Sequence, residues 1–152
     1  MGSHPWKAVT AYEPDVAAAL ARAQAEVFER GEYGLAHSLK ALYAQLGMPA
    51  PPLPEEPKAR TIEEAREFAG ESGTRSVLDV YSIAAAPALM ATGSLSSKVL
   101  QRTFKTERPS LAQAEAQLGP IFESLERGAS AYVVCYENDQ PTHYIFLGMS
   151  ID

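Results

Sequence analysis

The sequence predicts an α+β fold, with a small antiparallel sheet of one strand plus a C-terminal hairpin packed against several short helices. Three observations carry this. Residues 131–138 (AYVVCYEN) and 142–150 (THYIFLGMS) are β-branched and aromatic runs flanking Asp139-Gln140, the expected turn of a hairpin. Neither run alternates apolar with polar residues as a half-wet strand does, so the hairpin should be covered on both faces. Most of the rest is helix-period sequence punctuated by Gly and Pro, with one further β-rich run at 75–83 (RSVLDVYSI).

From the N-terminus, Glu13-Pro14-Asp15 opens a helix, placing a carboxylate at the positive end of the helix dipole. Val16, Leu20, Ala23, Val27 and Phe28 share one face, and Arg30-Gly31 ends it. A second helix is expected over 35–46, with Leu35, Leu39, Leu42, Tyr43 and Leu46 as its stripe and Gly47 as its stop. The short link should make these two helices neighbours. Residues 48–58 (MPAPPLPEEPK) hold five prolines, which forbid helix and sheet and favour a stiff extended connector over a docking ligand. Thr61 and Glu64 have capping-box spacing for a short helix ending near Gly70. After the turn at 70–74 and the strand at 75–83, residues 84–93 are small and show no period. Ser94 or Ser96 caps a helix carrying Val99, Leu100 and Phe104, which Arg108-Pro109 ends. Ser110 with Gln113 opens another, which Pro120 must kink or break.

GESGTRSVLD (70–79), followed some fifty residues later by YVVCYENDQPTHYIFLGMS, resembles a pattern in small uncharacterised bacterial α+β proteins. The resemblance spans roughly the last eighty residues and implies no activity, cofactor or site residue.

At 152 residues the chain is expected to form a single domain over 5–152, with Met1-Gly2-Ser3-His4 set aside as an expression-vector scar. The charge is −6, shared evenly: residues 1–70 and 71–152 each come to −3. A nucleic-acid duplex or anionic membrane needs a concentrated positive face, so neither is expected as a partner. The most apolar window, 80–92, is too short to span a membrane and is broken by Pro87. One cysteine, Cys135, rules out an internal disulfide and suits a reducing, cytoplasmic setting. There is no glycine-rich phosphate loop, nucleophile elbow, HExxH pair or CxxC, and no cofactor is expected.

A few residues remain candidates for chemistry. Asp79 alternates with Val77 and Tyr81, which puts a carboxylate on a buried face. There it either bonds a backbone N–H or Arg75, the favoured role, or serves as a ligand-binding or general-base group. His143 is the best titratable candidate. With Asp139-Gln140 as the turn, Tyr136 pairs with His143 and Cys135 with Tyr144, so His143 shares a face with Tyr132, Val134, Tyr136, Ile145 and Leu147. Cys135 then lies away from His143 and is expected to be inert. Lys98, Arg102 and Lys105 make a helical stripe, either solvated, the favoured role, or able to grip a phosphate or an acidic partner, with Arg108 just beyond.

These features point to a non-enzymatic cytoplasmic protein that binds another macromolecule as an accessory, regulatory or toxin-neutralising partner. The expected contact residues are Tyr136, Tyr144, Phe146, Lys98, Arg102 and Lys105. Because the expected helices are several but short, one apolar hairpin face should be left bare, and a homodimer is the simplest way to cover it. The alternative is a small-molecule-binding protein or enzyme with Asp79 and His143 in a tyrosine-lined cleft.

Overall fold

The computed structural model describes residues 4–33, 35–52, 58–72 and 76–151. Its elements in chain order are β1 (Pro5–Ala11), α1 (Val16–Arg30), α2 (Leu35–Gln45), α3 (Ile62–Ser72), a 3-10 turn (Val77–Asp79), β2 (Ser82–Ala84), β3 (Ala91–Ser94), α4 (Ser97–Phe104), α5 (Leu111–Ala116), α6 (Gly119–Ser124), β4 (Ser130–Glu137) and β5 (Gln140–Met149). The α+β class holds, but the sheet is larger than expected and mixed. Five strands run in the order β1-β5-β4-β3-β2. The pairs β1/β5 and β5/β4 are antiparallel, while β4/β3 and β3/β2 are parallel.

Two strands were not expected. β1 lies next to the supposed vector scar, and its PWKAVTA sequence is short, with only weak alternation. It nevertheless pairs with β5 along its whole length, from Pro5 opposite Met149 to Ala11 opposite His143. Backbone bonds continue past it: Ser150 N–H donates to the His4 carbonyl at 2.9 Å. β3 reads ATGS, four residues of which only Thr92 has intrinsic strand preference. Burial decides it instead, because the chain folds tightly over Gly93. A Cβ there would sit 2.1 Å from the Ala86 carbonyl carbon, so only glycine fits.

The predicted strand at 75–83 is mostly not a strand. Ser76 accepts from Leu78 N–H at 3.2 Å, and Asp79 accepts from Ser76 N–H at 3.2 Å, so a reciprocal capping box winds Val77–Asp79 into a 3-10 turn. Extended pairing is confined to Ser82–Ala84. Arg75, Gly73 and Thr74 lie outside the described residues, as do 53–57 of the proline-rich stretch.

The helices follow their local signals more closely. Asp15 caps α1 through Ala17 N–H, and Gly31 closes it in the left-handed region (φ 67°). Ser96 and Ser110 cap α4 and α5. Gln113 does not complete a capping box: its side-chain amide donates to the Phe104 carbonyl at 2.7 Å instead. Pro120 splits the predicted helix into α5 and α6, taking an early position in α6 where its missing N–H is harmless.

Helices cover both faces of the sheet. On one, Ala19, Leu20, Ala23 and Val27 of α1, Ala65 of α3, and Val77 and Leu78 meet Ala8, Tyr144 and Phe146, with Tyr132 and Val134 at the margin. On the other, Phe104, Ala114, Leu118 and Ile121 from α4–α6 meet Ala131, Val133, Cys135, Ile145 and Leu147. The expected bare hairpin face does not exist. The chain between β3 and β4 folds back as one cover, and the chain after β1 supplies the other. α2 is the exception to tight packing, since Leu42 and Leu46 of its expected apolar stripe are exposed.

Candidate functional site

The hairpin turn decides where several candidate residues go. Asn138 and Asp139 both have positive φ (51° and 62°), as in a type I′ turn, so the turn lies one residue earlier than expected. Glu137 faces Gln140 and Tyr136 faces Pro141. A bulge between Cys135 and Tyr136 then shifts the pairing, placing Cys135 opposite His143 and Val134 opposite Tyr144. Tyr136 N–H leaves the ladder and donates to the Pro109 carbonyl at 2.8 Å.

The expected face assignment is therefore corrected. His143, Ile145 and Leu147 share a face with Val133 and Cys135, while Tyr144 and Phe146 share the other with Tyr132 and Val134. The observed register brings Cys135 and His143 opposite each other, the arrangement that a turn at Asp139-Gln140 disfavoured. The thiol is nonetheless in no state to act as a nucleophile. Burial pushes its pKa up to about 12, and the nearby Glu115 carboxylate adds to the rise. His143 Nδ1 lies 3.0 Å from the hydroxyl of its neighbour Thr142.

Asp79 is held by the turn it caps and lies at one end of β5, beside Trp6, which pairs with Gly148. His143 pairs with Ala11 at the other end. The five residue steps of strand from position 143 to position 148 span about 17 Å, so Asp79 and His143 do not share a cleft. The tyrosines do not form one around His143 either. Tyr144 stacks on Tyr12 (5.3 Å between centroids) and on Phe146 (5.7 Å), and Tyr132 meets it edge-on. Tyr144 O–H donates to the Glu13 carbonyl at 2.9 Å. Burial, with the neighbouring Tyr12, Tyr132, Asp15 and Tyr136, pushes its phenol up to about 12. Phe146 is fully buried. Tyr144 and Phe146 are thus core residues and not the contact surface expected of them. Tyr136 is half-buried under the Arg108 guanidinium, 5.5 Å from the ring centre.

The cationic stripe forms largely as predicted. Lys98 and Arg102 lie exposed on α4, and Lys105, also exposed, is the left-handed C-cap, its amine donating to the Arg102 carbonyl at 3.2 Å. Arg108 is drawn to Asp139 (3.7 Å).

A surface that the sequence did not mark lies at the Asp79 end of the sheet. Met90 N–H donates to the Gly128 carbonyl at 2.8 Å, and Gly128 N–H to the Met149 carbonyl at 2.9 Å, so three separate segments are stitched together. Above this seam Leu89 and Ile151 flank Gly128, where a Cβ would come within 2.6 Å and 2.9 Å of their side chains. Leu89 is 67% exposed and Ile151 38%. Beside them Trp6, Asp79, Val80, Met90, Gly128, Met149 and Ile151 line a cleft of about 20 Å³, the space of roughly one water molecule. The apolar 84–93 run held Leu89 and Met90, but no periodicity revealed that they come to rest against the C-terminal residues.

Among the described residues there is no group of three or more His, Cys, Asp or Glu side chains placed to hold a metal ion. No helix among them is long and apolar enough to cross a membrane. No family model, curated protein or solved structure matches the chain.

Proposed function

We propose that this is a cytoplasmic protein that works by binding another protein, in an accessory, regulatory or toxin-neutralising role, and not by catalysis. One observation carries the reading: the exposed apolar patch of Leu89 and Ile151 around Gly128, continuous with Met90, Met149 and Trp6. Large aliphatic side chains gathered at one exposed place, next to a cleft too small for a substrate, are the composition of a protein-contact surface. The exposed cations of α4, Lys98 and Arg102 with Lys105, are a second contact surface, suited to an acidic stretch of the partner. The single cysteine, buried and protonated, is at ease in a reducing compartment.

The test is capture from the extract of the source cell by wild-type protein and by Leu89→Asp. Leu89 is exposed, so the variant should fold as the wild type does and lose the partner. A partner retained by Leu89→Asp, or turnover of a small molecule by the wild type, would overturn the reading.

A further inference from the structure

We propose that the free edge of β1 pairs antiparallel with β1 of a second copy, joining the two five-stranded sheets across a two-fold axis. The sheet has two edges, and they differ. β2 is three residues long, and the chain after it bends into Pro87. β1 is seven residues long, and its only proline is the first. Tyr12 N–H donates to Thr142 and Ser150 N–H to His4, so the even-numbered residues of β1 bond to β5. Lys7, Val9 and Ala11 therefore direct their N–H and carbonyl groups away from the sheet, where among the described residues nothing meets them. Such an edge is a template for another strand unless a charge or a bulge guards it. The one charge on β1 is Lys7, and its amine is held against Glu115 at 2.8 Å, on the α5 side of the sheet.

The occupant follows from β1's own pattern. With the axis at Val9, Val9 meets its own copy, and Lys7 meets the second copy's Ala11. These are the residues with free backbone groups, so roughly six hydrogen bonds form. Lys7 avoids Lys7 and faces a small side chain. On the other side of the sheet Ala8 lies across from Thr10 and Trp6 from Tyr12, two half-buried aromatics at each end of the junction. A two-fold contact needs a surface complementary to itself, and this register supplies one. The inference goes beyond the partner surface at Leu89 and stands or falls apart from it.

Sedimentation over low to high micromolar concentration should show a dimer. Amide exchange should separate the residues: Lys7, Val9 and Ala11 gain protection as concentration rises, while Ala8 and Thr10, already bonded to β5, do not change. Val9→Pro removes an N–H that β5 does not use and should give a monomer. Ala11→Lys, at an exposed position, sets like charges opposite Lys7 twice and should weaken the dimer about tenfold. Ala11→Glu should tighten it. A monomer at every concentration, or a dimer indifferent to Ala11 with Val9 and Ala11 amides still exchanging freely, would overturn the proposal. Partner capture that is lost in Leu89→Asp but kept in Ala11→Lys would show the two surfaces to be separate.

Discussion

The two faces of the sheet are closed by different chemistry. One is aromatic and tied by directed bonds. Tyr12, Tyr144 and Phe146 stack in sequence, with Tyr132 edge-on. Over them the Gln24 amide donates to the Val77 and Val80 carbonyls at 3.1 and 2.8 Å, Arg66 donates to the Leu78 carbonyl, and the Thr10 hydroxyl donates to Glu26. The other face is largely aliphatic: Val133, Ile145 and Leu147 meet Leu118, Ile121 and the ring of Phe104. The difference follows from what each cover must hold. The aliphatic face is roofed by three helices, α4 and α5 capped by Ser96 and Ser110 and α6 started by Pro120, which chiefly fill volume. The aromatic face must also fix an irregular turn, residues 76–80: the Ser76 and Val77 carbonyls accept from Asp79 and Val80 N–H within the turn, and side chains of α1 and α3 meet the carbonyls of Val77, Leu78 and Val80.

The strongest way to break this comparison is to hollow out each face. Phe146→Ala and Phe104→Ala, both at fully buried positions, should each cost about 3–5 kcal/mol in urea unfolding. A loss under about 1 kcal/mol at Phe146 would mean that the aromatic stack is not core. Alkaline pH comes next. Cys135 and Tyr144 have native pKa values of about 12, raised from 9.0 and 10.0. The native state keeps these protons after the unfolded chain has released them. The contribution of these two groups to stability is therefore full below pH 9.0 and is lost toward pH 12, by up to about 1.4 kcal/mol per pH unit for each group. Cys135→Ala should move the onset from near 9 to near 10, leaving only the aromatic face titrating. An unchanged onset would show that the aliphatic face does not contribute.

Smaller changes sharpen the comparison. Gln24→Ala removes two bonds to the irregular turn, taking this donor from the Val80 carbonyl while the Val77 carbonyl keeps Val80 N–H, and should cost about 1–3 kcal/mol. Gln113→Ala on the opposite side frees a single carbonyl, that of Phe104, and should cost less. Equal losses would argue that the directed bonds do not distinguish the faces. The smallest effect belongs to Thr92, whose buried hydroxyl has no hydrogen-bond partner among the described residues. Thr92→Val keeps the shape and removes an unmet polar group, so the midpoint of thermal unfolding should hold or rise.

Much of this fold was legible locally. Asp15, Gly31, Ser96 and Ser110 mark helix ends through bonds within a few residues, and Pro120 marks a break through its own geometry. The two long strands announced themselves by composition. The position of the turn was legible too, since Asn and Asp tolerate left-handed backbone better than Gln, and Asn138-Asp139 was the better choice. The bulge was not. It depends on Tyr136 N–H reaching Pro109, twenty-seven residues back, a bond that exists only when α4 and α5 lie on the sheet.

The candidate site was less legible for the same reason. Lys98 and Arg102 could be placed because a helix repeats, whereas Asp79, expected on a buried strand face, is half-buried in a 3-10 turn where it accepts from Ser76 N–H. The apolar patch joins residues 6, 89–90, 128 and 149–151, which are brought together only by β1 lying beside β5 and by the Met90–Gly128–Met149 seam. By itself the sequence determined the helices, their caps, the hairpin and the demand that both hairpin faces be covered. Those depend on backbone preference, hydrogen bonds between near neighbours and the period of apolar residues. Tertiary structure alone decided that Pro5–Ala11 and Ala91–Ser94 are strands, that Cys135 faces His143, and that Asp79 and His143 stand apart. Each depends on which distant backbone supplies a partner, and that free energy has no expression within a short stretch of chain.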